Sequence, residues 1–406
     1  MKLKSRNIWI VFIVVLIDMI GFGILIPIVP RYIETRFGSS EILIGLLIAS
    51  FSFFQFLFSP ILGKLSDHIG RKPIIIFSLA VTTISYIIFA FAPEYWIALL
   101  ARSIAGMSGG SISTAQAYIA DVTEKSDRTK GMGLMGASFG IGFVLGPFIG
   151  GIMSTYGYVL TNLTAAAFSL FALILSIVFL EESLTNKTKP VINKSDFLTS
   201  LKLNRYLKVL QDDIVGKFLL MFLLVTFSIA NTYGILPIYA YRYLYFSDRQ
   251  IGYIYAVIGL VGIIIQGYLI DKLTKRYGEK ALLLSGIFFM AAGLFLVPMI
   301  HLYIHFIWLV LVAISFGLAL INPTIASIVS KLTSPEKQGE VLGINMSMGS
   351  LGRVFGPVWG GFSFKVFGYQ YPFWTASLFT FLALIIGILN FINLKKKGLD
   401  KKLERG

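Results

Sequence analysis

The stretch GASFGIGFVLGPFIGG spans Gly136–Gly151, and its closing hexamer GPFIGG (Gly146–Gly151) returns as GPVWGG at Gly356–Gly361, 210 residues later. The same offset pairs Gly142 with Gly352, Thr123 with Thr333 and Pro27 with Pro237. A looser echo sets GKLSDHIGRK (Gly63–Lys72) against GYLIDKLTKRYGEK (Gly267–Lys280), with an insertion. The chain reads as two related halves.

Composition says what the halves are made of. Of 406 residues, 56% are hydrophobic and only 14% charged, with mean hydropathy +0.81, whereas soluble domains carry about 25% charged residues. Apolar runs of about 20 residues, long enough to cross about 30 Å of hydrocarbon as helix, recur throughout. They predict spans at 7–29, 41–63, 73–92, 95–121, 131–154, 160–180, 216–240, 249–270, 281–300, 303–330, 340–363 and 371–393. The expected fold is an all-α membrane protein of twelve transmembrane helices in two pseudo-symmetric six-helix halves, 1–180 and 216–394. A basic linker at 181–215 joins them, and 395–406 form a basic tail. In the linker, Leu203, Tyr206, Leu207 and Leu210 recur at helical spacing among Lys202, Arg205 and Lys208, a pattern suited to a helix lying on the inner leaflet.

The net charge of +15 is distributed as a membrane topology requires. Most Lys and Arg fall at the two termini and in the loops after even-numbered spans, which predicts both termini in the cytoplasm. The excess reports orientation and contact with anionic lipid, and no nucleic-acid partner is expected. The apolar run beginning at Ile8 is too long for a signal peptide and reads as the first span.

Several chemistries are excluded. There is no cysteine, hence no disulfide, thiol nucleophile or Cys-ligated metal. His301 and His305 are four apart, but they lie at an outer loop without a carboxylate beside them, so no metal site is expected. No Ser/His/Asp, Walker or zinc-hydrolase pattern is present, and no catalytic residue is assigned.

The motifs between and within the spans carry a family resemblance. GKLSDHIGRKP resembles the signature loop of the major facilitator superfamily through Gly63, Leu65, Asp67, Gly70, Arg71 and Lys72, with His68 where an Arg is usual. The glycines suit a tight turn, and Asp67 can accept from basic groups or a helix N-terminus. The resemblance implies a latch on the cytoplasmic side, assisted by Asp121 at the end of span 4. Gly136, Gly140, Gly146, Pro147, Gly150 and Gly151 resemble the span-5 motif that distinguishes the proton-coupled antiporters of this superfamily. Their spacing lets a facing helix approach closely. Ile20, Gly21, Pro27, Ile28 and Pro30 match a span-1 motif, and Arg102 with Gly106 a span-4 motif in which Ala105 replaces a polar residue. Together these resemble the twelve-span drug/proton antiporters, among them tetracycline and multidrug exporters. The resemblance implies the major facilitator fold, export by alternating access and antibiotic resistance.

Three ionisable groups lie well inside predicted spans: Asp18, Arg102 and Arg353. An ionisable group near the bilayer centre costs about 2.5–3.5 kcal/mol on the insertion scale, so each is a functional candidate. Burial favours the protonated form of Asp18 and a nearby Arg102 favours the ionised form. A change in their distance would toggle proton affinity, which makes Asp18 and Arg102 the expected proton-coupling pair, with the proton as coupling ion and no bound cofactor. Gln55, Gln116, Asn231, Gln266, Asn322, Asn345 and Arg353 are candidate groups of a substrate cavity. Tetracycline exporters resembling this chain carry acids in spans 3 and 9. Here Ser85 stands in span 3 and span 9 has none, which argues against tetracycline itself.

The function expected is proton-coupled export of lipophilic drugs or related small molecules across the plasma membrane by a monomer. A facilitator or proton symporter for a sugar or other metabolite on the same fold is the alternative, and a non-transporting membrane receptor or scaffold the second.

Overall fold

The computed structural model describes residues 2–109, 111–123, 128–184, 211–302, 304–333 and 338–398. Fourteen α-helices cover these residues, with no strand among them. The linker helix expected at Leu203–Leu210 lies outside the described residues.

The helices of the first half are α1 (Lys2–Leu25), α2 (Val29–Phe37), α3 (Glu41–Ile69), α4 (Arg71–Ala90), α5 (Tyr95–Met107), α6 (Ser111–Val122), α7 (Arg128–Met153) and α8 (Tyr158–Phe179). Those of the second are α9 (Val215–Leu244), α10 (Asp248–Ile264), α11 (Ile270–Leu296), α12 (Ile307–Leu332), α13 (Gln338–Phe367) and α14 (Tyr371–Lys396). Among the described residues, nine helical stretches are long and apolar enough to cross a membrane. The difference from twelve has local causes. Span 4 is broken into α5 and α6, each too short to count. Asp248–Leu302 runs on as one helical stretch, although Gly278, at φ +77°, divides it into spans 8 and 9. The glycine- and serine-rich α13 falls short of the apolar threshold.

Two compact units result. The first contains the described residues to Ser39, from Ser50 through α8, and Tyr245–Gly259; the second contains Ser40–Ala49, α9 with the residues just before it, and the chain from Leu260. The two long helices α3 and α10 thus each contribute to both units. Within the first unit α1 packs on α7 and α8, and α4 packs on α8, α5 and α6. Within the second, α9 packs on α13 and α14, and α11 on α12 and α14. These are the same pairs of spans, so the repeat seen as GPFIGG and GPVWGG is a repeat of helix packing.

Glycine sets those contacts, because helices in lipid gain little from burying apolar surface and depend on close fit. A Cβ on Gly146 would lie 2.6 Å from the Cα of Gly23 and 2.7 Å from the carbonyl of Ile20 on α1. One on Gly356 would lie 2.7 Å from the Phe227 carbonyl on α9. One turn on, Gly150 abuts Ile24 and Gly360 abuts Asn231. Gly151 turns to the other side, towards Asp248 and Gly252 of α10, as Gly361 turns to Glu41 and Ile42 of α3. Gly136, by contrast, faces open space, and Gly140 lies half-buried on α7.

The signature loop is shorter than the sequence suggests. A turn is expected after Gly63, but α3 continues through Asp67 to Ile69, and a Cβ on Gly63 would meet only the Ser113 hydroxyl at 3.9 Å. The turn is Gly70 alone, at φ +115°. The six polar and aliphatic residues after Gly63, Lys64 to Ile69, hold nothing that breaks a helix, so the span simply extends beyond its apolar part.

Candidate functional site

Span 1 is broken where its prolines fall. Pro27 has no N–H to give, so α1 stops at Leu25 and the turn is closed by Ile28 N–H donating to the Leu25 carbonyl at 3.1 Å, before α2 begins with Pro30 in its first turn. Asp18 lies two turns before the break. Its half-buried carboxyl borders a small cavity walled by Val11, Val14 and Val15 of α1, Ile75 and Leu79 of α4, Ile112 and Ala115 of α6, and Leu180. The polar neighbour in that wall is the hydroxyl of Ser111, the first residue of α6. The break in span 4 therefore places the start of α6 beside the acid.

Arg102, on α5, is 6% exposed. Its guanidinium carbon sits 4.9 Å from the centre of the Phe51 ring. Gly106 allows this, since the backbone of Phe51 occupies the place a Cβ would take. Arg102 Nε and Nη1 are buried with no hydrogen-bond partner among the described residues. Neighbouring hydroxyls are already engaged: Ser103 donates to the Leu99 carbonyl, Ser108 to that of Ala105, and Thr82 pairs with Ser108 at 2.8 Å.

Asp18 and Arg102 belong to the same unit and converge on one residue. The Tyr86 phenol of α4 lies within electrostatic range of both. Among the described residues no ion pair joins Asp18 to Arg102.

Where α3 meets α4 a denser cluster forms on Arg71. Its Nε pairs with Asp121 at 3.0 Å, and Nη1 with Asp67 one turn back and with the Ser66 hydroxyl. The Arg71 backbone N–H donates to Glu182 Oε1 at 2.8 Å, so this acid caps α4. Ser183 donates to Asp121, Tyr118 to the Glu181 carbonyl, and Lys72 Nζ to the Ile177 carbonyl. The end of α8 thereby closes against α4 and α6. The second unit repeats this with the charges exchanged. After Gly278 comes Glu279, which pairs with Lys331 at 3.2 Å and accepts from Ser327. Lys331 stands 210 residues after Asp121.

The remaining sequence candidates divide. Asn231 is fully buried and donates to the Pro372 carbonyl at 2.7 Å, so it ties α9 to α14 and is no cavity group. Asn345 is buried within α13. Gln116 is half-buried on α6, and Gln55 packs against Gly109 at the span-4 break. Gln266 and Asn322 are exposed, the former in a π-helical turn at Ile265–Leu269. Arg353 is exposed on α13 and donates to Ser350 at 3.0 Å. His301 lies between α11 and α12 with its ring 2.6 Å from the Pro298 carbonyl, and no group of metal-ligating residues occurs among the described residues.

Sequence reading passed over Tyr86, Phe51 and Glu182. Phe51 and Tyr86 look like packing residues in apolar runs, and Glu182 falls just past span 6, where charge is expected. The available signal was the spacing of small residues opposite them, Gly106 and Gly70.

Twelve apolar spans carrying an acid and an unpaired arginine inside one half define a polytopic membrane protein of the solute-transporting kind. The chain matches the family model of the Major Facilitator Superfamily over residues 11–357 and again over 218–406. It is 31% identical to the tetracycline resistance protein, class E, of Escherichia coli over 363 residues, 87% of each chain. It is 30% identical to multidrug resistance protein 1 of Bacillus subtilis over 389 residues, 96% of each. Among solved structures, the human organic anion transporter MFSD10 aligns with TM-score 0.72 at 25% identity, covering 95% of this chain and 99% of that one. The protein belongs to the major facilitator superfamily and has its twelve-span, two-half fold.

Proposed function

We propose that the protein is a proton-coupled antiporter that exports lipophilic drugs or related small molecules across the plasma membrane by alternating access, with both termini in the cytoplasm. The observation that carries this reading is Asp18: an acid inside span 1, walled by apolar side chains, with one hydroxyl beside it. Such a group loads and releases a proton as its surroundings change. The relatives that resemble the chain along nearly all of its length are tetracycline and multidrug resistance proteins by name. One proton crossing 100 mV supplies about 2.3 kcal/mol, enough to hold a concentration ratio of tens.

In this reading Arg102 shares the coupling with Asp18, and the cluster of Gly63, Asp67, Gly70, Arg71, Lys72 and Asp121 acts as the cytoplasmic gate. The halves 1–180 and 216–394 are the moving parts, joined by 181–215. The proton is the coupling ion and no cofactor takes part. The partners are the transported molecule and membrane lipid, and the working unit is a monomer. The test is uptake of fluorescent drugs into everted vesicles under an imposed pH gradient: wild type accumulates them, and Asp18→Asn loses pH-driven accumulation. Full transport by Asp18→Asn would sink the proposal.

A further inference from the structure

Arg102 is a buried charge whose donors are incompletely used by the described residues. It is 6% exposed, and its Nε and Nη1 donors have no acceptor among them. The ring of Phe51, 4.9 Å from its carbon, satisfies one face of the guanidinium. A face contact leaves the in-plane N–H groups unspent, because the ring attracts the cation by its quadrupole and accepts none of those hydrogens in line. Burying an arginine without its acceptor is strongly unfavourable, and a chain that keeps one there gains its return when an acceptor arrives. The fork of a guanidinium is matched by a planar oxyanion with two oxygens, a carboxylate above all.

We propose that Arg102 seats the carboxylate, or an equivalent planar oxyanion, of an amphoteric molecule whose cationic part lies towards Asp18. The inference rests on the exporter reading for its second half. A purely anionic ligand at Arg102 would draw a proton onto Asp18, and both would then travel together. A ligand that also carries positive charge displaces the proton from Asp18 and keeps the exchange.

The test uses the full-length protein in nanodiscs and two probes, rhodamine B, which bears a free carboxylate, and its ethyl ester, which does not. Fluorescence polarisation reads the two affinities. Wild type should bind rhodamine B at least about tenfold more tightly than the ester. Arg102→Gln should bring that ratio close to one while ester binding persists, which also shows the variant is folded. Arg102→Lys, keeping the charge and losing the fork, should fall between. Equal affinities in wild type, including none for either probe, overturn the proposal, and so does an unchanged ratio in Arg102→Gln. pH-driven uptake of both probes is measured in parallel. If uptake is absent while the Arg102-dependent ratio stands, the oxyanion seat is upheld and the export reading fails.

Discussion

Glu41 and Arg242, 201 positions apart in the chain, form an ion pair at 2.6 Å. Glu41 opens α3 and Arg242 closes α9. The repeat supplies the mirror image: Arg31, near the end of span 1, pairs at 2.9 Å with Asp248, which opens α10 and accepts a second bond from the Tyr158 hydroxyl. Each acid sits in the first turn of its helix, where the helix dipole adds to its stability.

The first prediction concerns this pair. Glu41 is largely buried, so Glu41→Gln should cost about 1.5–3 kcal/mol, the usual worth of a hydrogen bond to a charged group. Thermal unfolding in detergent should show Glu41→Gln and Arg242→Gln destabilising the protein with less than additive effect. Additive losses would mean the two side chains do not interact.

A second prediction separates two glycines of one motif. Gly70→Ala forces φ +115° on a residue with a Cβ and drives that carbon into Glu182, the cap of α4. It should lose about 1–3 kcal/mol from backbone strain alone. Gly63→Ala, with open space around it, should be near neutral. Melting temperatures and expression levels of the two variants check the contrast.

The third applies the same logic to span 5. Gly146→Ala and Gly356→Ala should each disrupt a helix contact and lower the melting temperature markedly, while Gly136→Ala should leave it unchanged. If Gly136→Ala proves as damaging as Gly146→Ala, close approach to α1 is not what the motif secures.

The fourth is a pH dependence. Asp213, just before α9, accepts from Lys217, Lys397 and Asn393, and these bonds hold its carboxyl well below the ordinary value of 3.8. A depressed folded-state value means that the contribution is present above the ordinary value and is lost as pH falls through the depressed one. The difference in melting temperature between wild type and Asp213→Asn should therefore be constant from neutral pH to about pH 4 and shrink below it. A difference that grows on acidification would contradict the assignment.

Much of this was legible in the residues. Apolar runs gave the spans, the 210-residue offset gave the two halves, and Asp18 and Arg102 stood out because charge in lipid is costly. What stayed hidden depends on where helices stop. Pro27 signals a break, but nothing in SGGS at 108–111 announces that span 4 resumes beside Asp18. The extension of α3 past Gly63 was invisible because hydropathy ends where the lipid ends and the helix does not. Asn231 was misread for a general reason: an amide inside a span looks the same in sequence whether it lines a cavity or ties two helices. Tyr86 was passed over because a phenol among Ile and Ser reads as packing until its neighbours are known.

The opposite polarity of Arg71–Asp121 and Glu279–Lys331 bears on how such a chain diverges after duplication. If the two halves began alike, neither partner could change sign alone without setting like charges side by side. The route from one polarity to the other runs through an intermediate in which the pair is neutral or mismatched. Exchanging residues singly between the repeats should therefore fail where exchanging them as pairs succeeds, and the couple rather than the residue is the inherited character.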